Sequence, residues 1–467
     1  MSKLLLEHID TLATFDEQRR VLSDAWVLIR DQQIEALGFG PYKGEPVEQR
    51  MSLRGYVVLP GLINLHHHFF QVLMRNIPAL QNASLFRWLE IMRMLKVMVR
   101  DEDLVVATQL CVAELLLSGC TTTVDHNFLK PTFDLDHDTQ IQTARRMGIR
   151  YHHARGSATL GQPGFVENEA NALTDLERLI KTYHDPQPFA MLRVENAPGA
   201  PFSNSENFYK ASIELARKHG VGNHTHLAQS PEDTQQMLAA FAEKPVVWAE
   251  RIGWVGPDVW YAHAIAIDEE EQEILSRSRT GISHCPNSNM VTGSGVCQVV
   301  PMLKRGRIKI GLGVDGSAAN NSSNLLREVR SMLLLQRVFF GADALSPTQA
   351  LEVAILGGAS VLRRDDIGMI APGKAADIIG VDLNRLAFAG GLHDPLAGMV
   401  LCDVEHIDLS IVNGVVKVVN GKLVGQDIDT MIQYGNQLSH ALIQRTEKQF
   451  NLELGSSIWR KAYPYFQ

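Results

Sequence analysis

Cysteine is scarce in this chain, with five among 467 residues: Cys111, Cys120, Cys285, Cys297 and Cys402. The number is odd, the positions are scattered and no Cys-x-x-Cys pair occurs. That pattern indicates neither a disulfide framework nor a thiolate zinc site, and it fits a reducing cytoplasm. Long apolar runs are missing too. The most apolar helix-like stretch, Leu104 to Gly119, carries Gln109 and Glu114 and is too short to span a bilayer. The opening Met1 to His8 has neither the apolar core nor the small-residue cleavage site of a signal peptide. Basic residues do not dominate: the formal net charge is -8, which argues against a general nucleic-acid or anionic-membrane surface. Low-complexity tracts are absent, as is any repeat finer than a βα unit.

What is present suits a soluble globular protein acting on a small molecule. Hydrophobic residues make up 45% and charged residues 21%, enough apolar material for a large core, and the length fits one large barrel plus a smaller domain. From Leu4 to Leu59 short β-like runs alternate with turns, as in Ala25 to Ile29 and Ile34 to Gly38. After Pro60-Gly61, strand-like runs alternate with longer helical stretches, the pattern of a parallel sheet built from βα units. Eight such strands are expected: one ending at His66 to His68, then Thr121 to Asp125, Arg150 to Arg155, Ala190 to Glu195, Val221 to His226, Val259 to His263, Thr280 to His284 and Ile308 to Asp315. Eight strands point to a (β/α)8 barrel over 60–364. Helical periodicity is expected at Asp101 to Ser118, Asp138 to Met147, Ala170 to Tyr183, Ser205 to His219, Pro231 to Phe241, Asp268 to Ser278 and Asn324 to Phe340, with Ser230 capping the fifth of these. Short strands return beyond Asp365, so 1–59 and 365–426 are expected to share one β domain. Asp427 to Gln449 reads as a helix packed on the body, and 427–467 ends in an aromatic tail with Trp459, Tyr463, Tyr465 and Phe466.

The chemistry gathers on the strand ends, which in such a barrel build the active site. On extended backbone His66 and His68 share a face and His67 points away, so the pair can grip one divalent ion. His226 ends the fifth strand, His263 the sixth and Asp315 the eighth. Imidazole and carboxylate donors suit Zn2+ or Fe2+, and an open coordination position would hold a water made acidic enough to act as nucleophile. Asp315 can both touch the metal and accept that water's proton, while His263 can polarise the substituent on the electrophilic carbon.

These residues carry a family resemblance. Pro-Gly-Leu-Ile-Asn-Leu-His-His-His at 60 to 68, His-Thr-His-Leu-Ala at 224 to 228, Ala262-His263, Ser-His-Cys-Pro-Asn-Ser-Asn-Met at 283 to 290, Gly-Val-Asp-Gly-Ser-Ala at 313 to 318 and Ile-Ala-Pro-Gly-Lys-Ala-Ala-Asp at 370 to 377 resemble the amidohydrolase superfamily in its aminohydrolase branch, which includes guanine, cytosine and chlorotriazine-type enzymes. The resemblance implies a distorted TIM-like barrel with a divided β-sandwich. It also implies one divalent metal, Zn2+ first, on His66, His68, His226 and Asp315, with His263 near the hydrolytic water, and a homo-oligomer.

Within that branch, His-His-His-Phe-Phe-Gln at 66 to 71, Leu-Ser-Gly-Cys-Thr-Thr-Thr-Val-Asp-His at 117 to 126 and His-Ala-Arg-Gly-Ser at 153 to 157 look most like the 8-oxoguanine and isoxanthopterin (pterin) deaminase group. Such substrates are flat amino-oxo bicycles. Gln71 can meet an amide edge, Arg193, if turned inward, can donate to a ring carbonyl, and Trp88 and Phe70 can cover a ring face. Of His126, His153 and His284, two are expected to serve structural hydrogen bonds. One departure stands out: where the family pattern has His-Leu-x-Glu, this chain has His226-Leu227-Ala228-Gln229, and an amide cannot shuttle a proton. A natural variant with a modified proton route, a deliberately inactivated chain and a non-catalytic relative all fit it. The loop Pro198-Gly199-Ala200-Pro201, less polar than an 8-oxoguanine enzyme would suggest, tilts the expectation toward a pteridine. The expected activity is therefore hydrolytic deamination, pterin or isoxanthopterin class first and 8-oxoguanine class second. The alternatives are displacement of an alkylamine or chloride from a triazine, and a metal- or ligand-binding protein without turnover. A cytidine-deaminase type of zinc site is argued against by the missing Cys-x-x-Cys.

Overall fold

A computed structural model describes residues 3–129 and 137–455; the aromatic tail lies outside them. At its centre eight parallel strands close into a barrel: β1 (Leu62–Asn64), β2 (Cys120–Asn127), β3 (Arg150–Ser157), β4 (Leu192–Pro198), β5 (Asn223–Leu227), β6 (Val259–His263), β7 (Gly281–His284) and β8 (Lys309–Leu312), with β8 pairing back onto β1. All eight coincide with the strands expected from the sequence. The chain is therefore a (β/α)8 barrel, and further β-sheet comes from both of its ends.

The seven expected helices are present, and their starts show why they form where they do. Ser230 caps Pro231–Phe241, its hydroxyl accepting from the Asp233 N–H at 3.2 Å, and Asp268 and Glu271 close a reciprocal capping box on Glu269–Ser278. One further long helix, Leu85–Lys96, is not among those expected. Its apolar residues Leu85, Ile91, Met92 and Leu95 are buried, but Arg87, Trp88 and Arg93 interrupt the stripe. One side of it covers a cavity instead of core, which blurs the periodicity.

Outside the barrel, a seven-stranded sheet runs in the order Lys422–Leu423, Val415–Val419, Leu409–Val412, Ile378–Asp382, Tyr56–Pro60, Thr11–Ala13, Val21–Leu22. Strands from the two chain ends meet where Tyr56–Pro60 pairs antiparallel with Ile378–Asp382. A second sheet of four strands, Gln33–Phe39, Ala25–Arg30, Lys3–Ile9 and Gln49–Ser52, packs on it through Leu6, Ile9, Val27, Ile29, Val58 and Ile378. Barrel and sheets are joined by a buried ion pair: Arg150 at the start of β3 donates to both oxygens of Asp377, at 3.0 Å each, and its remaining donors reach the Phe189 and Ala190 carbonyls and Asn413. With every donor engaged, the guanidinium tolerates full burial. The final helix, Ile428–Phe450, lies on the side where β1 leads into its loop, and Ser439 donates to the Leu73 carbonyl.

Candidate active site

Regular pairing stops at Asn64 on β1 and Leu312 on β8, so His66, His68 and Asp315 sit just past the strands. Single backbone bonds hold these extensions: Leu65 N to Leu312 O (2.8 Å), His126 N to His67 O (2.8 Å) and Asp315 N to His66 O (3.0 Å). Four non-glycine residues on the rim, Ala228, His263, Ala264 and Asp315, have positive φ (52°, 76°, 48° and 62°). Such backbone is costly outside glycine and persists where the surroundings enforce it. Here it turns His263 and Asp315 onto the barrel axis.

The side chains converge closely. His68 Nε2 lies 3.2 Å from His226 Nε2, and Asp315 Oδ1 lies 3.2 Å from His66 Nε2 and 3.4 Å from His68 Nε2. Hydrogen bonds at the other ring nitrogens assign the tautomers. His68 Nδ1–H donates to the His126 carbonyl (2.7 Å) and His226 Nδ1–H to the Gly199 carbonyl (2.5 Å). His224 donates from Nδ1 to the Trp260 carbonyl (3.1 Å), so its Nε2 is free to accept from His66 Nδ1 at 2.8 Å. Carbonyl oxygens only accept, so all three Nε2 atoms present lone pairs. Burial keeps these rings neutral, holding His66 and His68 well below the usual imidazole range and His226 down to about 4. Burial opposes the charge on Asp315, and the donors to its carboxyl, the Ser288 hydroxyl and the Gly316 N–H, favour it.

Three lone pairs and a carboxylate oxygen in mutual contact repel one another unless a cation lies among them. The buried His66 Nε2 has no hydrogen-bond partner, as such a ligand atom should not. The donor set of His66, His68, His226 and Asp315 thus fits a divalent metal of the zinc or ferrous type. Its supports match the requirements of a metal site, since each ligating ring is oriented by a bond at its far nitrogen.

His263 completes the floor. Its Nε2 is unpartnered and 4.0 Å from Asp315 Oδ2, and its Nδ1 lies 2.9 Å from Asn289 Oδ1. Asp315 Oδ2 accepts from Ser288 Oγ at 2.6 Å, and Oδ1 from the Gly316 N–H at 2.6 Å. The segment Ser283 to Met290 is therefore a bracket: Ser288 holds Asp315, Asn289 holds His263, and Asn287 anchors the bracket on buried Glu328. Of the other histidines, His67 turns away to Ser323, His126 donates to the Ala197 carbonyl, and His153 bonds Tyr151 and His137. Neither ring nitrogen of His284 has a hydrogen-bond partner among the described residues.

Above this floor opens a cavity whose lining includes His68, His226 and Asp315. Gln71, in the 3-10 turn Phe69–Met74, lines it; a Cβ on neighbouring Gly316 would stand 1.9 Å from Gln71 Oε1, so glycine there leaves room for the amide. Gln229 and Trp88 line it as well. The side-chain amide of Gln229 makes no hydrogen bond among the described residues, while its backbone N–H is held by Asp233 Oδ2 at 2.9 Å. Sequence reasoning missed Leu89, Met92, Lys96, Phe128 and Phe202, because they come from the unexpected helix and from two barrel loops.

One expectation needs correction. Arg193 sits at the start of β4, so it points to the opposite end of the barrel, with His184, Arg363 and Asp366, and donates to the Pro186 carbonyl. It reaches no substrate in the cavity. In the loop Pro198 to Pro201, Gly199 orients His226, and a side chain there would press on the Ser157 carbonyl at 3.0 Å. Gly199 and Ala200 also line the cavity.

Known proteins agree with this geometry. The chain is 39% identical over 418 residues to an 8-oxoguanine deaminase of Pseudomonas aeruginosa, covering 88% of this chain and 93% of that one. It is 32% identical to an isoxanthopterin deaminase from an unknown prokaryotic organism, over 83% and 85% of the two chains. Among solved structures, a mutant of atrazine chlorohydrolase TrzN from Arthrobacter aurescens TC1, complexed with zinc and atraton, superposes with a TM-score of 0.89 at 30% identity, covering 93% of this chain and all of that one. The amidohydrolase family model matches residues 57–424. The chain belongs to the amidohydrolase family and is an aminohydrolase of its deaminase branch.

Proposed function

We propose that this chain is a metal-dependent hydrolytic deaminase of an amino-oxo bicyclic heterocycle, of the 8-oxoguanine and isoxanthopterin kind. The observation that carries the proposal is the meeting of three imidazole lone pairs, Asp315 and His263 on the floor of a cavity whose walls pair apolar side chains with two amides. A divalent ion, when bound, supplies a water that ionises near neutral pH. The two oxygens of Asp315 have separate surroundings, Oδ1 toward the ligand histidines and Oδ2 toward His263, and Oδ2, which accepts from Ser288 Oγ, has a second lone pair with which to collect a proton from the attacking water. His263, whose Nε2 is unpartnered, takes up a proton there and in that form polarises the substituents of the attacked carbon. Across the reaction one water is consumed: its oxygen replaces the amino group as a ring carbonyl, one proton goes to the ring nitrogen and one to the leaving amine, which departs as ammonia. Gln71 and Gln229 read the amide edges of the ring, donating to its carbonyls and accepting from its N–H groups.

The test is ammonia release by the purified, metal-quantified chain from isoxanthopterin, pterin, 8-oxoguanine, guanine, cytosine and a hydroxytriazine, repeated with Gln229→Glu. The unaltered chain should release ammonia from one of the bicycles. Because Asp315 and His263 move the protons, Gln229→Glu should change kcat by less than about tenfold, whereas a gain of about 100-fold would mean that a proton shuttle had been missing. A second reading has its own support: the apolar wall of Leu85, Trp88, Leu89 and Met92 would suit an N-alkyl group, and a similar structure holds atraton. Release of alkylamine or chloride from a triazine, without ammonia from any bicycle, would replace the first reading with this one.

A further inference from the structure

Lys96 is the last residue of helix Leu85–Lys96 and lines the cavity. Its ammonium lies over the face of Phe128, 3.9 Å from the ring centroid, and Phe128 in turn packs edge-on against His68, with centroids 4.8 Å apart. The cation is thus one aromatic ring away from a metal ligand. It forms no ion pair among the described residues. Glu167, the carboxylate whose field favours its charge, is held in a two-pronged pair by Arg155. Burial, with Arg93 close by, pushes the Lys96 amine down to about 7. A lysine stem and an aromatic face would ordinarily deliver such a head group to solvent or to an acid.

The charge balance of the cavity sharpens the point. Among its described lining residues the only carboxylate is Asp315, which belongs to the metal floor, and the position where an acid was expected is Gln229. Arg93, also without an ion pair among the described residues, stands at the same wall. Two cations therefore face a space in which no described lining residue other than Asp315 is an acid, and a ligand can supply a partner of opposite charge.

Resting on the deaminase reading above, we propose that Lys96 is a specificity-determining residue: its ammonium pairs with a ring oxygen on the substrate edge remote from the amino group. It selects heterocycles in which that oxygen carries the charge of an ionised lactam. Bicycles with this oxygen lose an N–H proton more readily than those without it, and the resulting charge spreads onto the oxygen. A partly desolvated ammonium makes a stronger, charge-assisted contact there than with a neutral ring edge. Neutral alkylamino-triazines offer no such group.

Two matched pairs test the assignment, 8-oxoguanine with guanine and isoxanthopterin with pterin, since within each pair the members differ by that oxygen. Steady-state kinetics of the metal-loaded chain should favour the oxygenated member. Lys96→Met should lower kcat/KM by about 10- to 100-fold on the oxygenated members, mainly through KM, and by no more than about threefold on the others; Lys96→Arg should restore most of the loss. Equal losses on both members, or no loss on either, would overturn the proposal. Circular dichroism checks the fold, and Lys96→Gln replaces Lys96→Met if the latter does not fold. If the unaltered chain deaminates none of the four compounds, the deaminase reading falls and equilibrium binding decides this one. An affinity loss in Lys96→Met confined to 8-oxoguanine and isoxanthopterin supports it; unchanged or uniformly reduced affinities overturn it.

Discussion

Asp315→Asn should lower kcat by at least about 1,000-fold with the fold intact. Asn has the same shape: its one oxygen can keep the Gly316 N–H while its NH2 donates to the Ser288 hydroxyl, which accepts as well as donates, and the strained backbone at φ 62° remains tolerable, Asn being among the residues most at home there. What disappears is the negative charge that offsets a divalent ion, and with it the only carboxylate among the described lining residues able to take a proton from water. Two measurements separate these losses. Metal content by atomic absorption reports the ligand role, and kcat in the presence of excess metal reports the proton role. A variant retaining both full metal and full turnover would remove Asp315 from the mechanism.

The barrel was legible because its signal is repeated: eight strand-like runs alternate with helical stretches, and each strand is nearly uniform in burial. The metal floor was legible because His66, His68, His226, His263 and Asp315 all follow such runs, and strand ends in this architecture share one rim. What could not be read is whatever depends on the path of the chain between strands. Helix Leu85–Lys96 mixes cations with apolar residues because it faces a cavity, so Lys96 and Met92 resemble surface and core. Arg193 misled for a related reason, since membership of β4 says nothing about which end of the strand a residue occupies, and a place beside its first residue lies far from the active rim. His224 stands within a recognisable motif but its part was invisible, because it acts through His66 on another strand. Such partners become visible only once neighbouring strands are in register.

Metal removal is the other large effect. Chelation should lower the thermal midpoint by about 4–8 °C relative to the zinc-loaded chain, as follows if free zinc at about 1,000 times its dissociation constant contributes about 4 kcal/mol and a chain of this length shifts by about 1–2 °C per kcal/mol. The direction comes from the geometry: without a cation, the 3.2 Å approach of His68 to His226 and the 3.2 Å approach of Asp315 to His66 place lone pairs and charge in opposition. The folded chain alone assembles these four donors, so metal binds and stabilises the native state selectively. His224 gives the control. Its Nε2 holds the proton of His66 on Nδ1, and its ring stacks on Trp260 with centroids 4.8 Å apart. His224→Ala frees His66 to rotate and to take up the other tautomer, which should weaken zinc binding by about 10- to 100-fold and shrink the gap in midpoint between loaded and stripped protein. The altered chain is also less stable in both states, since a buried ring is lost, so the gap and not the absolute midpoint is the quantity to read. An undiminished gap would mean that His66 does not depend on His224 for its orientation, and no gap in the unaltered chain would mean that zinc does not occupy these donors.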